Sequence, residues 1–239
     1  HADPSGVTQA LAAGARARGA RIIRRCRATN ITQQPSGEWL VETEKGNILC
    51  EHVVNAGGTY ARQMGEWSGL QLPMTSMTHH YFVTDTVPEF KDYDDLPVIR
   101  DDKLVSGYIR MEQKSGLIGI YEKENPNTVW VDHCPWEAEN ELFEPDYDRI
   151  MPWLENALDR MPIFAELGIK REVHGAISHP PDGNPLIGPA PGVTNYWCCC
   201  GTQIGIGWGP GLTRELARWM VHGAADISMR EFDPRRFGD

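Results

Sequence analysis

The sequence predicts a mixed α/β fold with an antiparallel sheet in its middle part. Helical patterns alternate with short apolar strands over the first 72 residues. From Met74 the strands become longer and partly aromatic, and acidic loops separate them, which is typical of antiparallel strands. A composition of 41% hydrophobic and 23% charged residues over 239 positions is that of an ordinary globular chain.

The charge balance argues against two classes of function. Lys and Arg number 23 and Asp and Glu number 33, so the formal net charge is −10. A nucleic-acid-binding domain carries a basic surface, and so does a protein that docks on anionic lipids. No run approaches the ~18 consecutive apolar residues of a membrane span. We therefore expect neither nucleic acid nor a membrane among the partners.

The six cysteines indicate reduced thiols. Cys198, Cys199 and Cys200 are consecutive, and neighbours on a strand point to opposite faces, which favours burial over bridging. The C-x₂-C spacing of zinc ligands is absent from the sequence, so we expect no metal site. Reduced cysteines are typical of the cytosol or of an organelle matrix.

The first part of the chain predicts a capped helix and several short strands. The chain opens at His1 directly with a helical pattern and no preceding strand, so we expect a piece of a longer protein. Asp3 or Ser5 caps this helix, which ends near Gly19. Strands are predicted over residues 20–23, 28–33, 39–43, 47–50 and 52–56, and a second helix over 59–67.

The middle and last parts predict longer strands and two more helices. Strands are predicted over residues 74–84, 104–113, 117–121, 169–178 and 196–200, an amphipathic helix over 146–161, and a rigid turn region over 180–189. A last helix is predicted over 209–222. Gly209 is its expected N-cap and Pro210 its first helical residue, a position where proline is well tolerated.

A glycine-rich loop lies between the strand over 196–200 and the last helix. Its glycines let backbone N–H groups approach a ligand closely, and a helix N-terminus favours negative charge. A phosphate, a carboxylate or a flavin oxygen therefore suits this position. The spacing matches neither G-x-G-x-x-G nor a P-loop, so a flexible connection with a helix cap is the alternative. The glycines are Gly201, Gly205, Gly207, Gly209 and Gly211.

Two neighbouring strands carry candidate acid–base and substrate-orienting residues. His79 and His80 are adjacent on a strand, so only one of them can face a given cavity. Histidine titrates near neutral pH and can act as a base, but a histidine satisfied in the core is the alternative. Tyr108 and Arg110 lie two apart on the next strand and share a face. They could orient an amine or a carboxylate, or they could form an ordinary cross-strand cluster.

Nine segments, taken in order, carry a resemblance to a known family. They are HADP (1–4), VVNAGGTY (53–60), THHYFVT (78–84), LPVIRD (96–101), GYIRME (107–112), LFE (142–144), PDGNPLIGP (181–189), GVTNYW (192–197) and EFDPRRFG (231–238). Their order resembles that of the FAD-dependent amine oxidoreductases of the D-amino-acid-oxidase superfamily, and most of all that of the dimethylglycine and sarcosine dehydrogenases.

The resemblance implies an α/β (α+β) fold in which two domains alternate along the chain. Residues 1–72 would form part of a doubly wound FAD-binding domain, and residues 73–172 a substrate domain with an antiparallel sheet. Residues 173–239 would return to the FAD-binding domain and supply a flavin-contacting loop and the C-terminal helix. The dinucleotide fingerprint of the family is expected in a segment before His1.

The resemblance also implies FAD as the cofactor and a set of site residues. His79 would accept or share a proton, and Tyr108 would orient the substrate by hydrogen bonding. The expected cofactor-binding residues are Ala28, Gly57, Tyr60, Gly201, Thr202, Gln203, Ile204, Gly205 and Ile206.

The implied reaction is the oxidative demethylation of an N-methyl amine, dimethylglycine or sarcosine, by hydride transfer to FAD. Two alternatives stay open: another FAD-dependent amine or amino-acid oxidase of the superfamily, and an inactive fragment unable to hold FAD alone. The implied partners are the amine, the missing N-terminal segment, and an electron-transfer flavoprotein or oxygen as electron acceptor. The implied location is the bacterial cytoplasm, or the mitochondrial matrix in a eukaryote.

Overall fold

The computed structural model describes residues 2–122, 127–139 and 141–238. His1, which belongs to the first segment of the resemblance, lies outside the described residues. The chain divides into two compact units. The first unit comprises residues 1–75, 132–136 and 178–239, and the second unit comprises residues 76–131 and 137–177.

Helices and strands of both kinds are present, as the sequence predicts. Within the described residues the α-helices are α1 (Pro4–Ala17), α2 (Ala61–Glu66), α3 (Tyr147–Arg160) and α4 (Gly205–His222). The strands are β1 (Ala28–Gln33), β2 (Trp39–Thr43), β3 (Ile48–Cys50), β4 (Val53–Asn55), β5 (Thr75–Thr86), β6 (Ile99–Asp101), β7 (Gly107–Glu112), β8 (Ser115–Ile120), β9 (Thr128–Val129), β10 (Ile169–His179), β11 (Leu186–Pro189) and β12 (Tyr196–Cys200).

The first unit contains two three-stranded sheets. Strands β1, β2 and β3 form an antiparallel meander, and β12 pairs antiparallel with β11 and parallel with β4. Trp39 and Tyr196 are almost completely buried, and their rings meet edge to face with centroids 5.3 Å apart. The buried Asn55 amide donates to the Tyr196 hydroxyl (3.0 Å) and to the carbonyl of Ala61 (2.8 Å). These contacts join β4, β12 and the start of α2 around one core.

The second unit is built on a six-stranded sheet that confirms the predicted antiparallel sheet. Its strand order is β10-β5-β8-β7-β6, and β9 pairs with β5. The pairs β5–β8, β7–β8 and β6–β7 are antiparallel. One face buries Phe82, Ile109 and Ile118 together with Ile150 and Ala157 of α3, so the amphipathic helix packs on this face.

Helix α1 begins where the sequence predicts it, and Asp3 rather than Ser5 is its N-cap. The Gly6 N–H donates to the Asp3 carboxylate, and Pro4 occupies the first helical position. This is the favourable arrangement for an acidic cap followed by proline. In helix α3 the Asp146 carboxylate likewise accepts a hydrogen bond from the Arg149 N–H, but the first helical residue there is Tyr147.

Two short stretches differ from the prediction. Residues 20–23 are not a strand, and no strand of the described chain pairs with them. Ile22 and Ile23 are exposed, because a short apolar run forms a strand only where a neighbour completes its hydrogen bonds. The predicted rigid turn over 180–189 is a turn only in its first half, since residues 186–189 pair with β12 as strand β11.

The start of the last helix is also different from the prediction. Helix α4 begins at Gly205, its N-cap is Ile204, and Pro210 lies inside the helix rather than at its first position. Pro210 is the sixth residue of α4, beyond the first four N–H groups that have no intrahelical partner, so the helix lacks the one backbone hydrogen bond that this position would donate. Trp208 packs against the core beneath α4, which favours the extra turn before Gly209.

Glycine at position 107 is required by a close approach of two strands. A Cβ there would lie 2.1 Å from the Gly119 carbonyl oxygen, whereas a Cβ at Gly211 in α4 would meet nothing within 4 Å. We expect Gly107→Ala to lower the free energy of unfolding by about 2–3 kcal/mol through strain in the β7–β8 pair. Gly211→Ala, the control, should raise it by about 0.5–1 kcal/mol because alanine favours helix. Urea unfolding measures both, and a Gly107→Ala variant as stable as the wild type would contradict a steric requirement for glycine between β7 and β8.

Candidate functional site

One face of the sheet in the second unit brings the two predicted catalytic residues together. His79 on β5 and Tyr108 on β7 are half-buried, and their ring centroids lie 6.1 Å apart. Tyr121, just after β8, stacks on His79 with centroids 4.2 Å apart and an interplanar angle of 14°. The Tyr108 and Tyr121 rings lie 5.9 Å apart. We call His79, Tyr108 and Tyr121 the aromatic cluster.

A glycine on the central strand makes room for this cluster. Gly119 of β8 lies opposite Tyr108 on one side and opposite Tyr81 on the other. A Cβ on Gly119 would be 2.2 Å from Cζ of Tyr108, so the phenol ring lies across the bare backbone of β8. Tyr121 follows Gly119 by two residues and therefore shares its face.

The Tyr108 phenol is a neutral hydrogen-bond donor at physiological pH. Burial, to which the neighbouring Tyr121 adds, raises the pKa of Tyr108 to about 12. The charge of Arg110 favours a lower pKa of Tyr108, but the Arg110 guanidinium is paired with Glu112 at 2.5 Å. Arg110 shares the face of Tyr108, as the sequence predicts, and has an acidic partner there.

His80 has a different environment from His79 because it points to the opposite face. Its ring is 1% exposed, and Nε2 accepts a hydrogen bond from the backbone N–H of Asp146 at 3.1 Å. A backbone N–H can only donate, so in this arrangement the ring proton is on Nδ1, which donates to Glu122 Oε1 at 3.2 Å. His80 is therefore the histidine satisfied in the core that the sequence left open as an alternative.

A second buried histidine lies against His80. The rings of His80 and His174 stack with centroids 3.5 Å apart, and His174 Nδ1 bonds the Glu144 carbonyl at 2.6 Å. Burial is the largest single influence and opposes ionisation of Glu122, but its hydrogen bonds with His80 and the backbone, together with the charge interactions with His80 and His79, outweigh burial, and the pKa of Glu122 is lowered. No sequence pattern marks His174 as part of this pair, because its partners are at least 30 residues away along the chain.

The glycine-rich loop of the first unit has a defined conformation at its start. Gly201 has a left-handed φ of +68°, and a Cβ there would lie 2.6 Å from the Pro180 ring. Thr202 and Gln203 are half-buried, and Gln203 Nε2 donates to the Gly183 carbonyl at 2.7 Å. The three residues that follow, 204–206, are exposed.

The start of α4 leaves backbone donors available at the end of this loop. Ile204, the N-cap, makes no side-chain capping hydrogen bond, and a Cβ at Gly205 would meet nothing within 4 Å. The first-turn N–H groups therefore have no side-chain acceptor in the cap and add the positive end of the helix dipole. Such an end can hold an anionic or carbonyl oxygen of a ligand.

The three remaining predicted cofactor residues also lie in the first unit. Ala28 is the first residue of β1, and Gly57 follows β4. The Gly57 N–H donates to the Asn55 side chain at 3.1 Å. The Tyr60 ring stacks on Trp136, with centroids 5.4 Å apart and an interplanar angle of 8°, so one face of Tyr60 is covered.

The described residues offer no metal centre and no membrane span. Across residues 2–122, 127–139 and 141–238, no three His, Cys, Asp or Glu side chains are grouped so that they could hold a metal ion. In the same part of the chain, no helix has the length and apolar character needed to cross a membrane.

Comparison with known proteins identifies the family to which these features belong. A sequence model described as FAD dependent oxidoreductase (DAO) matches residues 1–219. The chain is 39% identical over 243 aligned residues to mitochondrial dimethylglycine dehydrogenase of Mus musculus, covering 100% of the chain and 28% of that protein. It is 33% identical to mitochondrial sarcosine dehydrogenase of Mus musculus, covering 98% of the chain and 26% of that protein. The chain thus spans little more than a quarter of these relatives.

A solved structure supports the same fold. L-proline dehydrogenase from P. horikoshii superposes with a TM-score of 0.82 over 99% of this chain and 60% of that chain, at 23% identity. The resemblance seen in the sequence and the predicted fold class are both confirmed. The start of α4 fits FAD, because the open backbone at Gly205 leaves room for a ligand to approach main-chain donors, whereas the Pro180 ring fills the space beside Gly201.

The buried histidine pair predicts a loss of stability in acid. Burial lowers the pKa of His174, although its bond to the Glu144 carbonyl acts in the opposite direction. Below the ordinary histidine pKa of about 6.5, the unfolded chain therefore binds more protons than the folded one, and stability falls as the pH falls. We expect His174→Gln to flatten the dependence of the unfolding free energy on pH, measured by urea unfolding from about pH 7.5 to about pH 5.

The exposed His133, paired with Glu66 at 2.8 Å, provides the matched control. His133→Gln should leave the pH dependence close to that of the wild type, because the His133 side chain is exposed to solvent. If the unfolding free energy of His174→Gln depends on pH as steeply as that of the wild type, His174 does not carry the effect.

Proposed function

The chain belongs to the DAO family of FAD-dependent oxidoreductases, and from this membership we propose that it forms part of a flavoenzyme that demethylates an N-methyl amino acid. The observation that carries the proposal is the aromatic cluster, in which a histidine and a neutral phenol lie side by side on one sheet face. Dimethylglycine and sarcosine are the proposed substrates, because the relatives described above are named for them.

His79 is the proposed acid–base residue. A protonated amine has no lone pair with which to stabilise the developing iminium, so the site must favour the neutral amine. An imidazole titrates near neutral pH and can accept or share the ammonium proton. Tyr121, stacked on the ring at 4.2 Å, would fix the orientation of the imidazole.

Tyr108 is the proposed orienting residue. Its raised pKa, about 12, keeps the hydroxyl protonated and able to donate a hydrogen bond to the substrate. FAD, when bound, supplies the hydride acceptor. The released iminium is then hydrolysed to formaldehyde and the demethylated amine, which is a step that needs only water.

The first unit is proposed to hold FAD, and the second unit to hold the substrate. Residues 201–206 with the start of α4 would contact the flavin, and Ala28, Gly57 and Tyr60 would lie near the nucleotide. The covered face of Tyr60 restricts its role to the remaining face or the hydroxyl. Loop donors placed at the flavin would favour negative charge on the reduced ring.

The remaining parts of the proposal concern the rest of the protein. A segment preceding the chain would supply the dinucleotide fingerprint, and an electron-transfer flavoprotein or oxygen would accept the electrons. The mitochondrial relatives favour the matrix in a eukaryotic source, and the cytoplasm is proposed in a bacterial one. A flavin absorbance spectrum of the purified 239-residue chain tests whether it holds FAD alone. A panel of N-methyl and primary amino acids, with formaldehyde release as the readout, tests the substrate class.

Replacement of His79 tests its role in the reaction. We expect His79→Ala in the complete enzyme to slow flavin reduction by more than ~100-fold, because positioned acid–base groups contribute about that much. Stopped-flow absorbance of the flavin measures the rate. His133→Ala is the control, since that histidine is exposed and paired with Glu66. A change of less than about threefold for His79→Ala would remove His79 from the mechanism.

Tyr108 and Tyr81 form a matched pair, since both flank Gly119 on the same sheet face. Tyr108→Phe removes the donor and should lower kcat/KM for the amine by about tenfold or more, the usual cost of one lost hydrogen bond in a site. Tyr81→Phe should stay within about twofold of the wild type. Steady-state kinetics measures both variants, and an unchanged kcat and KM for Tyr108→Phe would leave Tyr108 with a purely structural role.

A further inference from the structure

We propose that Arg236 is a positioning residue for the glycine-rich loop and that it acts through the turn over residues 180–185. This inference rests on the proposed flavin site, because it concerns how the backbone donors of that site are held in place. Arg236 lies in the short 3-10 helix Pro234–Phe237, far along the chain from both the turn and the loop.

The Arg236 guanidinium binds the turn through several hydrogen bonds at once. Nε donates to Asp182 Oδ2 at 2.7 Å and Nη2 donates to Asp182 Oδ1 at 2.8 Å, which is the bidentate arrangement of a strong arginine–carboxylate pair. The same group donates to the carbonyls of Asn184 (2.7 Å) and Pro185 (3.2 Å). The Arg236 side chain is only 13% exposed, so this pair is better shielded from solvent than an ordinary surface ion pair.

Asp182 passes this restraint on to the turn itself. Its Oδ1 accepts a hydrogen bond from the Asn184 N–H at 3.0 Å, and the Gly183 N–H donates to the Pro180 carbonyl at 3.0 Å. Gly183, the last residue of this turn, has a left-handed φ of +76°, a conformation that glycine adopts without strain. The hydrogen bonds from Arg236 lower the pKa of Asp182, so the carboxylate stays ionised at neutral pH.

The turn contacts the loop at two points. Gln203 Nε2 donates to the Gly183 carbonyl at 2.7 Å. The Pro180 ring lies so close to Gly201 that a Cβ there would be 2.6 Å from it. One hydrogen bond and one packing contact therefore connect the clamped turn to the first three residues of the loop, directly before the uncapped start of α4.

Arginine is suited to this position and lysine is not. Two parallel bonds to Asp182 and two further bonds to carbonyls use the planar fork of the guanidinium, which an ammonium cannot reproduce. The neighbouring Arg235 differs, because its side-chain hydrogen bonds go to the carboxylate of Asp233, the N-cap of the same short helix, and its side chain is 50% exposed. Arg235 therefore provides a matched control of equal charge at the next position.

The test compares Arg236→Gln, Asp182→Asn and Arg235→Gln in the complete protein. Amide hydrogen exchange over residues 180–206, measured without flavin, reports on the loop directly. We expect exchange there to become about tenfold faster in Arg236→Gln and Asp182→Asn, the effect of one lost charge-assisted pair on a local opening equilibrium, and to stay within about twofold in Arg235→Gln. Asp182 is partly exposed, so Asp182→Asn keeps the test informative if Arg236→Gln folds poorly.

The reduction potential of the bound flavin, measured by dye equilibration, provides the second readout. It should become more negative in Arg236→Gln and Asp182→Asn and stay unchanged in Arg235→Gln, because loosened backbone donors stabilise the reduced flavin less. If exchange in Arg236→Gln is as slow as in the wild type, Arg236 does not hold the turn and the loop in place, whether or not the loop contacts flavin. Faster exchange with an unchanged potential would instead overturn the proposed contact between loop and flavin, and the positioning role with it.

Discussion

The alternation of side chains along β5 is the constraint on which the second unit depends. It sends His79 to the face that carries Tyr108 and Tyr121, and it sends His80 to the face packed by α3. A slip of one residue in the pairing of β5 with β8 would exchange the two imidazoles. The register is held on the core side by Phe82 and Ile118, which lie opposite each other and are both buried. Packing of the core thus determines which histidine lies on the face of the aromatic cluster.

In the first unit, a glycine-rich segment has to be held in one conformation. Glycine gives backbone donors access to a ligand, but it also has the largest loss of conformational entropy on ordering. The segment after β12 receives its order from outside: from Pro180 against Gly201 and from Gly183 bound by Gln203. Strand β12 itself is fixed by the buried Tyr196, whose hydroxyl is satisfied by Asn55. The rigid strand and the clamped turn together define the path of the loop.

Local features of the sequence predict much of this architecture. The apolar run Tyr196–Cys200 and the cap at Asp3 are encoded by near neighbours, and the strand and the helix follow as expected. Near neighbours could not show that residues 20–23 are not a strand, because a strand forms only where a partner completes its hydrogen bonds. The start of α4 depends on the packing of Trp208 against core residues, some of which are distant along the chain. This packing overrides the preference of proline for the first helical position.

The sequence likewise predicts part of the candidate site. Strand parity alone places Tyr108 with its neighbours, and counting two residues from Gly119 would also have found Tyr121. The stacking of Trp136 on Tyr60 and the clamp of Arg236 on Asp182 join residues that are distant in sequence, 54 apart in the second case. Periodicity carries no information about such contacts, because they are set by how separate elements pack.

The charges around the aromatic cluster narrow what this face is suited to bind. Arg110 is paired with Glu112, and Arg100, which lies 5.1 Å over the Tyr121 ring, is paired with Asp102 at 2.7 Å. A substrate carboxylate that used either guanidinium would compete with a carboxylate already in place, which reduces the net gain. The face therefore presents polar and aromatic groups with little unbalanced charge. Such a surface would favour the neutral form of the proposed amine substrate, and the imidazole of His79 is the group of the aromatic cluster that we propose for proton uptake near neutral pH.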